Sequence, residues 1–185
     1  MNWDTLLKTR TNCFGFSQTP AGPKLIKRAL TNLHLYMPSQ NQTMPFRIDY
    51  FDMSNIELRK EIFNFTITPP LKNKRSLANP QVLAPELLMF SYRGDVINGN
   101  PEIEIGLAAM FLAYEFTNMK LSYGYCACFP KDGQIQGQVV QLFMGVGHSS
   151  GDTYINPFDN KQYRTPPRKN MERRPSMKKY IKGLF

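Results

Sequence analysis

The sequence is short of the residues from which many active sites are built. Its 185 residues include three cysteines and two histidines, and neither His34 nor His148 has a metal-ligand spacing to the cysteines. An odd number of cysteines, two of them only one residue apart, argues against a disulfide framework and a zinc site. The patterns GxSxG, GxxxxGK and HExxH are also absent. The motifs of a serine hydrolase, a P-loop protein and a zinc protease are therefore missing.

The sequence also lacks a long hydrophobic run. Its most apolar helical stretch, residues 105–114, has ten uncharged residues, whereas a membrane-spanning helix needs about 20. Residues 1–10 show no basic segment followed by an apolar one, as a signal peptide would. We therefore expect a soluble, cytoplasmic protein.

Positive charge is abundant but unevenly spread. The net charge is +9, and residues 161–185 hold nine basic residues and the single acid Glu172, which gives +8. The rest of the chain is therefore nearly neutral. Three interpretations of this basic end stay open at this point: a solvated tail, a phosphate site or a nucleic-acid surface.

Residues 100–129 are the stretch around which we expect the fold to be organised. Asn100 is a suitable helix cap, Pro101 fits the first helical position, and Glu102 and Glu104 favour the positive end of the helix dipole. The pattern predicts a helix over residues 100–118 that is buried on more than one side.

The two sides of this helix differ in side-chain size. We expect the bulky side to pack on the sheet and the small side to meet a second copy of the chain, since small side chains let helices approach closely. The bulky side holds Leu107, Phe111 and Tyr114, and the small side holds Gly106, Ala109 and Ala113.

The strand predicted over residues 121–129 also has one small face. Every second residue there is small, so a flat group could approach its backbone closely. The small residues are Ser122, Gly124, Cys126 and Cys128.

The remaining pattern predicts an α+β domain whose sheet is covered by helices. We expect helices at 2–10, 24–36 and 56–65, and strands at 46–52, 87–92 and 139–147.

An ordered set of short motifs resembles the FMN-dependent nitroreductases. The first segment resembles that family's R-x-S-x-K/R-x-F signature, the second its P-S-x-x-N-x-Q-P-W loop, and the fourth the D-I-G-I-A-A opening of its central helix. Together they cover nearly the whole chain in the family's order. The segments are 10–16 (RTNCFGF), 38–46 (PSQNQTMPF), 81–85 (QVLAP), 104–109 (EIGLAA), 144–147 (MGVG) and 167–169 (PRK).

The resemblance implies a fold and an assembly. The fold would be a three-layer α+β sandwich, with a mostly antiparallel central sheet flanked by helices and a long central helix that forms a homodimer. Residues 1–170 would form a single nitroreductase-like domain. Residues 171–185 would be a basic C-terminal extension that packs on the partner subunit.

It also implies a cofactor and its contacts. FMN would lie at the subunit interface, accept a hydride from NAD(P)H and pass electrons to a quinone, a nitroaromatic or a similar small electrophile, without a catalytic side chain or a metal. The implied cofactor-binding residues are Arg10, Thr11 and Asn12; Pro38, Ser39, Gln40 and Gln42; the backbone at Ala127 and Cys128; and Arg168 with Lys169.

The sequence departs from the family at several of these positions. Phe14 stands where the family has Lys or Arg, and Gln42 where it has Asn. Loss of one charge-assisted hydrogen bond, worth about 1.5–3 kcal/mol, would lower the FMN affinity by about one to two decades. The alternative is therefore a nitroreductase-like scaffold without flavin activity, which binds a protein partner or nucleic acid through its basic tail.

Overall fold

The computed structural model describes residues 5–6, 12–39, 43–66, 79–93 and 100–164. Within them it has three α-helices, one 3₁₀ helix and seven strands. In chain order these are α1 (Pro23–Tyr36), β1 (Arg47–Phe51), α2 (Ile56–Phe65), the 3₁₀ helix (Pro80–Leu83), β2 (Glu86–Tyr92), α3 (Pro101–Asn118), β3 (Ser122–Cys126), β4 (Gln134–Ile135), β5 (Gln138–Gly147), β6 (Thr153–Asn156) and β7 (Lys161–Arg164).

The strands form an antiparallel sheet in the order β1-β2-β5-β3, with the short β4 paired to the start of β5. Strands β6 and β7 form a separate two-stranded hairpin. The long β5 lies at the centre and pairs with both β2 and β3. With helices packed against this sheet, the predicted α+β class is confirmed.

One face of the sheet is covered by α1 and α3. Helix α1 begins at Pro23, a residue that suits the first turn because its missing N–H leaves no bond unmade. It buries Ile26, Ala29 and Leu33 at helical spacing. These side chains join the interior of α3 and the alternate residues Leu88 and Phe90 of β2 in one apolar core.

Helix α3 faces the sheet with a different side from the one expected. Ala109 and Ala113 are buried against the sheet, whereas Leu107 is 47% exposed. The prediction that the small stripe faces outward was therefore wrong for the two alanines and right only for the exposed Gly106. Because α3 is apolar on all sides, its sequence pattern does not show which side faces the sheet. Close packing on the sheet favours the side with the small residues.

The opposite face of the sheet is covered by the 3₁₀ helix and α2. Gly145 of β5 touches the backbone of Gln81 so closely that an added Cβ would overlap the Gln81 carbonyl oxygen. Arg59 of α2 is fully buried nearby and donates to the carbonyl oxygens of Val82 (2.8 Å) and Ala84 (2.5 Å). A third bond from Arg59, to the carbonyl oxygen of Phe51 at 3.0 Å, ties the end of β1 to the same point.

Most predicted elements lie where the sequence pattern put them. Helix α1 begins one residue earlier than predicted, and α2 has the predicted bounds. The 3₁₀ helix and strands β4, β6 and β7 were not predicted. Of the helix expected at 2–10, only Thr5 and Leu6 are described, and they are helical. Among the helices that the structure describes, none combines the length and apolar composition needed to cross a membrane.

Candidate functional site

Strand β3 is an edge strand whose outer side is only partly occupied. Asn12 forms a parallel bridge with Tyr123, and the Cys13 N–H donates to the Tyr123 carbonyl oxygen at 2.6 Å. The side-chain oxygen Oδ1 of Asn12 then accepts the N–H of Tyr125 at 3.0 Å. The Asn12 side chain thus adds one more hydrogen bond to the outer edge of β3, as the backbone of a neighbouring strand would.

Beyond Asn12, none of the described residues pairs with the outer edge of β3. Tyr123 and Tyr125 direct their backbone groups away from β5, so strand alternation gives Ala127 the next N–H on that side. Ala127 and Cys128 are exposed, whereas Cys126 is buried. The structure therefore brings two predicted site positions together: Asn12 lies beside the strand that leads directly into Ala127 and Cys128.

The small face of β3 has a different role from the one expected. Gly124 faces the carbonyl oxygen of Cys13 and the side chain of Gln81, and an added Cβ would collide with both. The protein's own backbone therefore occupies the close-approach position at Gly124. The backbone that a flat ligand can reach lies further on, at Ala127 and Cys128.

The burial of Cys126 also sets its chemistry. Burial raises the pKa of the Cys126 thiol to about 12, since the thiolate would lose its hydration. Cys126 is therefore a neutral thiol at physiological pH. Cys128, two residues on, is the exposed cysteine of this turn.

A second part of the predicted site lies in the loop after α1. Pro38 is exposed and Ser39 half-buried, and the Ser39 hydroxyl oxygen accepts the N–H of Met44 at 3.0 Å. Met44 has a φ of +41°, which is uncommon for a residue with a side chain. The Met44 carbonyl oxygen accepts the Phe46 N–H at 2.7 Å, so hydrogen bonds hold this strained turn from both sides.

A cleft of about 400 Å³ opens next to this turn. It lies where the loop enters β1 and where β2 ends and β5 begins. Its lining comes from three separate segments, so the cleft was not predicted, although residues 43–46 lie in one of the motifs quoted above. The lining residues are Thr43, Met44, Pro45, Phe46, Arg47, Tyr92, Arg93 and Gln138.

The cleft and the open edge of β3 lie at the same end of the sheet. Met89 of β2 and Cys126 of β3 both pair with Phe143 of β5. Tyr92 is three residues beyond Met89, or about 10 Å along the strand, and Ala127 follows Cys126.

Six predicted site residues lie outside the described residues. They include both ends of the expected phosphate site and two residues of the loop after α1. They are Arg10, Thr11, Gln40, Gln42, Arg168 and Lys169, and their roles stay predictions.

Comparison with known proteins gives different results for the sequence and for the fold. No protein-family model and no curated protein matches the chain. Solved structures do: a nitroreductase family protein of Clostridium difficile 630 superposes with a TM-score of 0.68 at 13% identity, over 100% of this chain and 99% of that chain. This chain has the nitroreductase fold. The resemblance noted in the sequence is confirmed at the level of the fold.

Two further nitroreductase structures carry information on ligands. A nitroreductase of Desulfitobacterium hafniense DCB-2 with bound FMN has a TM-score of 0.66 at 14% identity, over 88% of this chain and 98% of that one. An FMN-dependent nitroreductase of Mycobacterium smegmatis in complex with NADPH has a TM-score of 0.60 at 11% identity, over 80% and 87%. Proteins with the nitroreductase fold thus include flavin enzymes.

Proposed function

We propose that the protein is an FMN-dependent oxidoreductase, which passes a hydride from NAD(P)H through the flavin to a quinone, a nitroaromatic or a similar electrophile. The observation that carries this proposal is the match of nearly the whole chain to solved nitroreductases, among them one with bound FMN. The open edge beyond Asn12 supports it, because a flavin is held largely by backbone donors and small residues.

The described residues fit a flavin. Ala127 and Cys128 are exposed, and the small Ala127 side chain leaves room for a planar ring. The Ser39 hydroxyl, whose oxygen already accepts the Met44 N–H, keeps its proton for a second bond. The half-buried Phe14 departs from the family's pattern, because it supplies no charge to a phosphate.

In this proposal FMN supplies the redox chemistry, accepting a hydride and returning two electrons to the acceptor. The chain supplies position and polarity. The Ala127 N–H would donate to the ring edge, and Asn12, held by Tyr125, would fix the backbone beside it. Arg10, Arg168 and Lys169 would neutralise the phosphate.

We further propose that the protein acts as a homodimer. Ile103, Leu107 and Met110 lie on one side of α3 and are 63%, 47% and 42% exposed. These positions recur at helical spacing and form an apolar row that costs free energy in water. A second α3 related by a two-fold axis would cover it, and residues 171–185 would extend over the partner subunit.

The assembly has a direct test. Sedimentation equilibrium of the wild type should give twice the 21.3 kDa chain mass. Leu107→Glu should shift the equilibrium to the monomer, because it places a charge in the apolar row. The matched variant Lys120→Glu, on an exposed residue just after α3, should leave the dimer intact. A wild-type monomer at micromolar concentration would refute the dimer.

The cofactor is tested by purification and reconstitution. The protein should carry FMN near one per chain and oxidise NAD(P)H when a quinone or a nitroaromatic is present. Ala127→Pro, which removes the N–H, should weaken FMN binding about tenfold, whereas Ala127→Gly, which keeps it, should not. A colourless protein that FMN cannot reconstitute, without NAD(P)H oxidation, would overturn the proposal.

A flavin-free scaffold that binds nucleic acid through its basic end is the second candidate. All four residues of β7 are exposed, and Lys161, Tyr163 and Arg164 lie among them at the start of that basic end. Binding of single-stranded nucleic acid should then fall steeply with salt, because phosphate contacts release counterions. Affinity that does not change between low and moderate salt would rule this candidate out.

A further inference from the structure

The cleft beside the strained Met44 turn is not used by the flavin contacts above. We propose that this cleft binds a small aromatic carboxylate and so selects anionic aromatic electron acceptors. The choice of acceptor rests on the proposed flavin function, whereas carboxylate binding by the cleft does not.

Two arginines give the cleft its preference for a carboxylate. Arg47 and Arg93 both line it, and none of the described residues in its lining is acidic. The planar guanidinium group matches a carboxylate with parallel hydrogen bonds. A ligand carboxylate can therefore be bound directly.

Asp49 holds one of these arginines in place. The Nε and Nη2 atoms of Arg47 lie 2.7 and 2.5 Å from the same Asp49 oxygen. This contact uses one side of the guanidinium group and leaves Nη1 outside the pair. Asp49 thus orients Arg47 at the mouth of the cleft, and Nη1 is the atom that would donate to a ligand.

The rest of the lining suits an aromatic ring. Phe46 and Tyr92 offer aromatic faces, and Met44 and Pro45 offer apolar contacts. A volume of about 400 Å³ lies near the lower end of the range for small-molecule pockets, about 300–1,000 Å³. The positive φ of Met44 is the kind of strain that is retained at binding sites.

Negative charges near the cleft mean that a ligand carboxylate has to be bound by direct hydrogen bonds. Burial raises the pKa of Tyr92, and the negative charges of Glu102 and Asp132 add to the effect. Neither acid lines the cleft, but both weaken its long-range attraction for anions. Selectivity for a carboxylate must therefore come from hydrogen bonds with Arg47 and Arg93.

The position of the cleft connects it with electron transfer. It opens at the end of the sheet where Ala127 and Cys128 are exposed. Tyr92, on the same strand face as the core residues Leu88 and Phe90, points to the side of the sheet that carries α3. A ligand in the cleft would thus lie at the same end of the sheet as Ala127, two strand spacings or about 10 Å across the sheet from β2 to β3.

The first test compares two acceptors of the same shape. With 4-nitrobenzoate and the neutral 4-nitrobenzamide, the wild type should favour the carboxylate at least tenfold in kcat/KM. Arg47→Gln and Arg93→Gln should each lower this ratio severalfold, mainly by reducing kcat/KM for 4-nitrobenzoate. Arg28→Gln, on the exposed side of α1, should keep the wild-type ratio. A ratio near one in the wild type would overturn the proposed selectivity.

The second test needs no redox activity. Calorimetric titration of the purified protein with benzoate should show saturable binding, at least tenfold tighter than benzamide binding and weakened at least fivefold by Arg47→Gln. If no nitroaromatic is reduced but benzoate binds in this way, the flavin function fails and the cleft proposal stands. Equal binding of benzoate and benzamide, or no benzoate binding at millimolar concentration, would overturn the cleft proposal itself.

Discussion

The two faces of the central sheet are covered in opposite ways. On the face of α1 and α3, large side chains fill the space, and Leu88, Phe90, Leu112 and Phe116 are fully buried. On the other face, Gly145 and its register partner Gly124 let the 3₁₀ helix and the Cys13 backbone reach the strands. The face covered by α1 and α3, here the helix face, thus depends on the volume of buried side chains. The opposite face, here the glycine face, depends on the lack of a side chain at Gly124 and Gly145.

This contrast predicts opposite sensitivities to mutation. Close-packed side chains lose stability when they are truncated. Backbone segments in direct contact lose stability when a side chain is added between them. Four measurements would break or sharpen the comparison.

Gly145→Ala should have the largest effect. Its new Cβ would overlap the Gln81 carbonyl oxygen and approach the Ala84 side chain, and a backbone carbonyl cannot move as a flexible side chain can. We expect a loss of about 3 kcal/mol or more in the free energy of unfolding, measured by denaturant titration.

The matched control for this substitution is Gly106→Ala, in the middle of α3. There an added Cβ meets nothing within 4 Å, and replacing glycine within a helix should stabilise by about 0.5–1 kcal/mol. If Gly145→Ala is as stable as Gly106→Ala, the glycine face is not held by backbone contact.

Arg59→Met should have the next largest effect. The guanidinium group is fully buried and donates to the carbonyl oxygens of Phe51, Val82 and Ala84. Without it three buried acceptors lose a partner, which we expect to cost about 3 kcal/mol. Lys60→Met, on the exposed neighbouring residue, should stay within about 0.5 kcal/mol of the wild type. Equal stability of the two variants would mean that Arg59 does not hold the glycine face together.

Leu112→Ala tests the helix face. Leu112 is fully buried in α3, so truncation should cost about 3 kcal/mol. Leu107→Ala, on the exposed side of the same helix, should cost much less in the monomer. The opposite order would restore the orientation of α3 that the sequence had predicted.

The smallest effect concerns Cys126 on the glycine face. Its pKa is raised by burial from 9.0 to about 12, so between these pH values the folded protein keeps a proton that the unfolded chain has released. Stability should therefore fall with rising pH in this window by up to about 1.4 kcal/mol per pH unit from this group. The difference in unfolding free energy between the wild type and Cys126→Ala should shrink accordingly from pH 9.5 to 10.5. A constant difference would show that Cys126 does not titrate in this way.

The orientation of α3 was predicted wrongly. By contrast, the sequence predicted α1 and α2 well, because hydrophobic spacing is a local signal. The bounds of α2 and the buried residues Ile26, Ala29 and Leu33 of α1 follow from it. The glycine face was not predictable in the same way. Gly145 was recognised as part of a strand that ends in glycines, but its partner Gln81 lies 64 residues earlier. A contact between residues so far apart in the sequence produces no periodic pattern from which it could be predicted.

The candidate site likewise has one part that was predicted from the sequence and one part that was not. Asn12 was assigned through an ordered motif, and Ala127 and Cys128 through the flavin contact that the resemblance implies. The structure brings Asn12 next to the strand that leads to the other two. Of the cleft's lining, residues 43–46 belong to one of the ordered motifs, but Tyr92, Arg93 and Gln138 do not, because the cleft arises only when three strand ends meet. Resemblance to a family can point to single residues, whereas a cavity is a property of the assembled sheet.

The hydrogen bond between the Asn12 side chain and the Tyr125 N–H of β3 has a consequence for synthesis on the ribosome. The two residues joined by this bond are 113 positions apart. At a translation rate of about 5–20 residues per second, the segment that carries Asn12 must wait roughly 5 to 25 s before Tyr125 is made. The beginning of the described chain is thus among the last parts to reach its final place in the nascent protein.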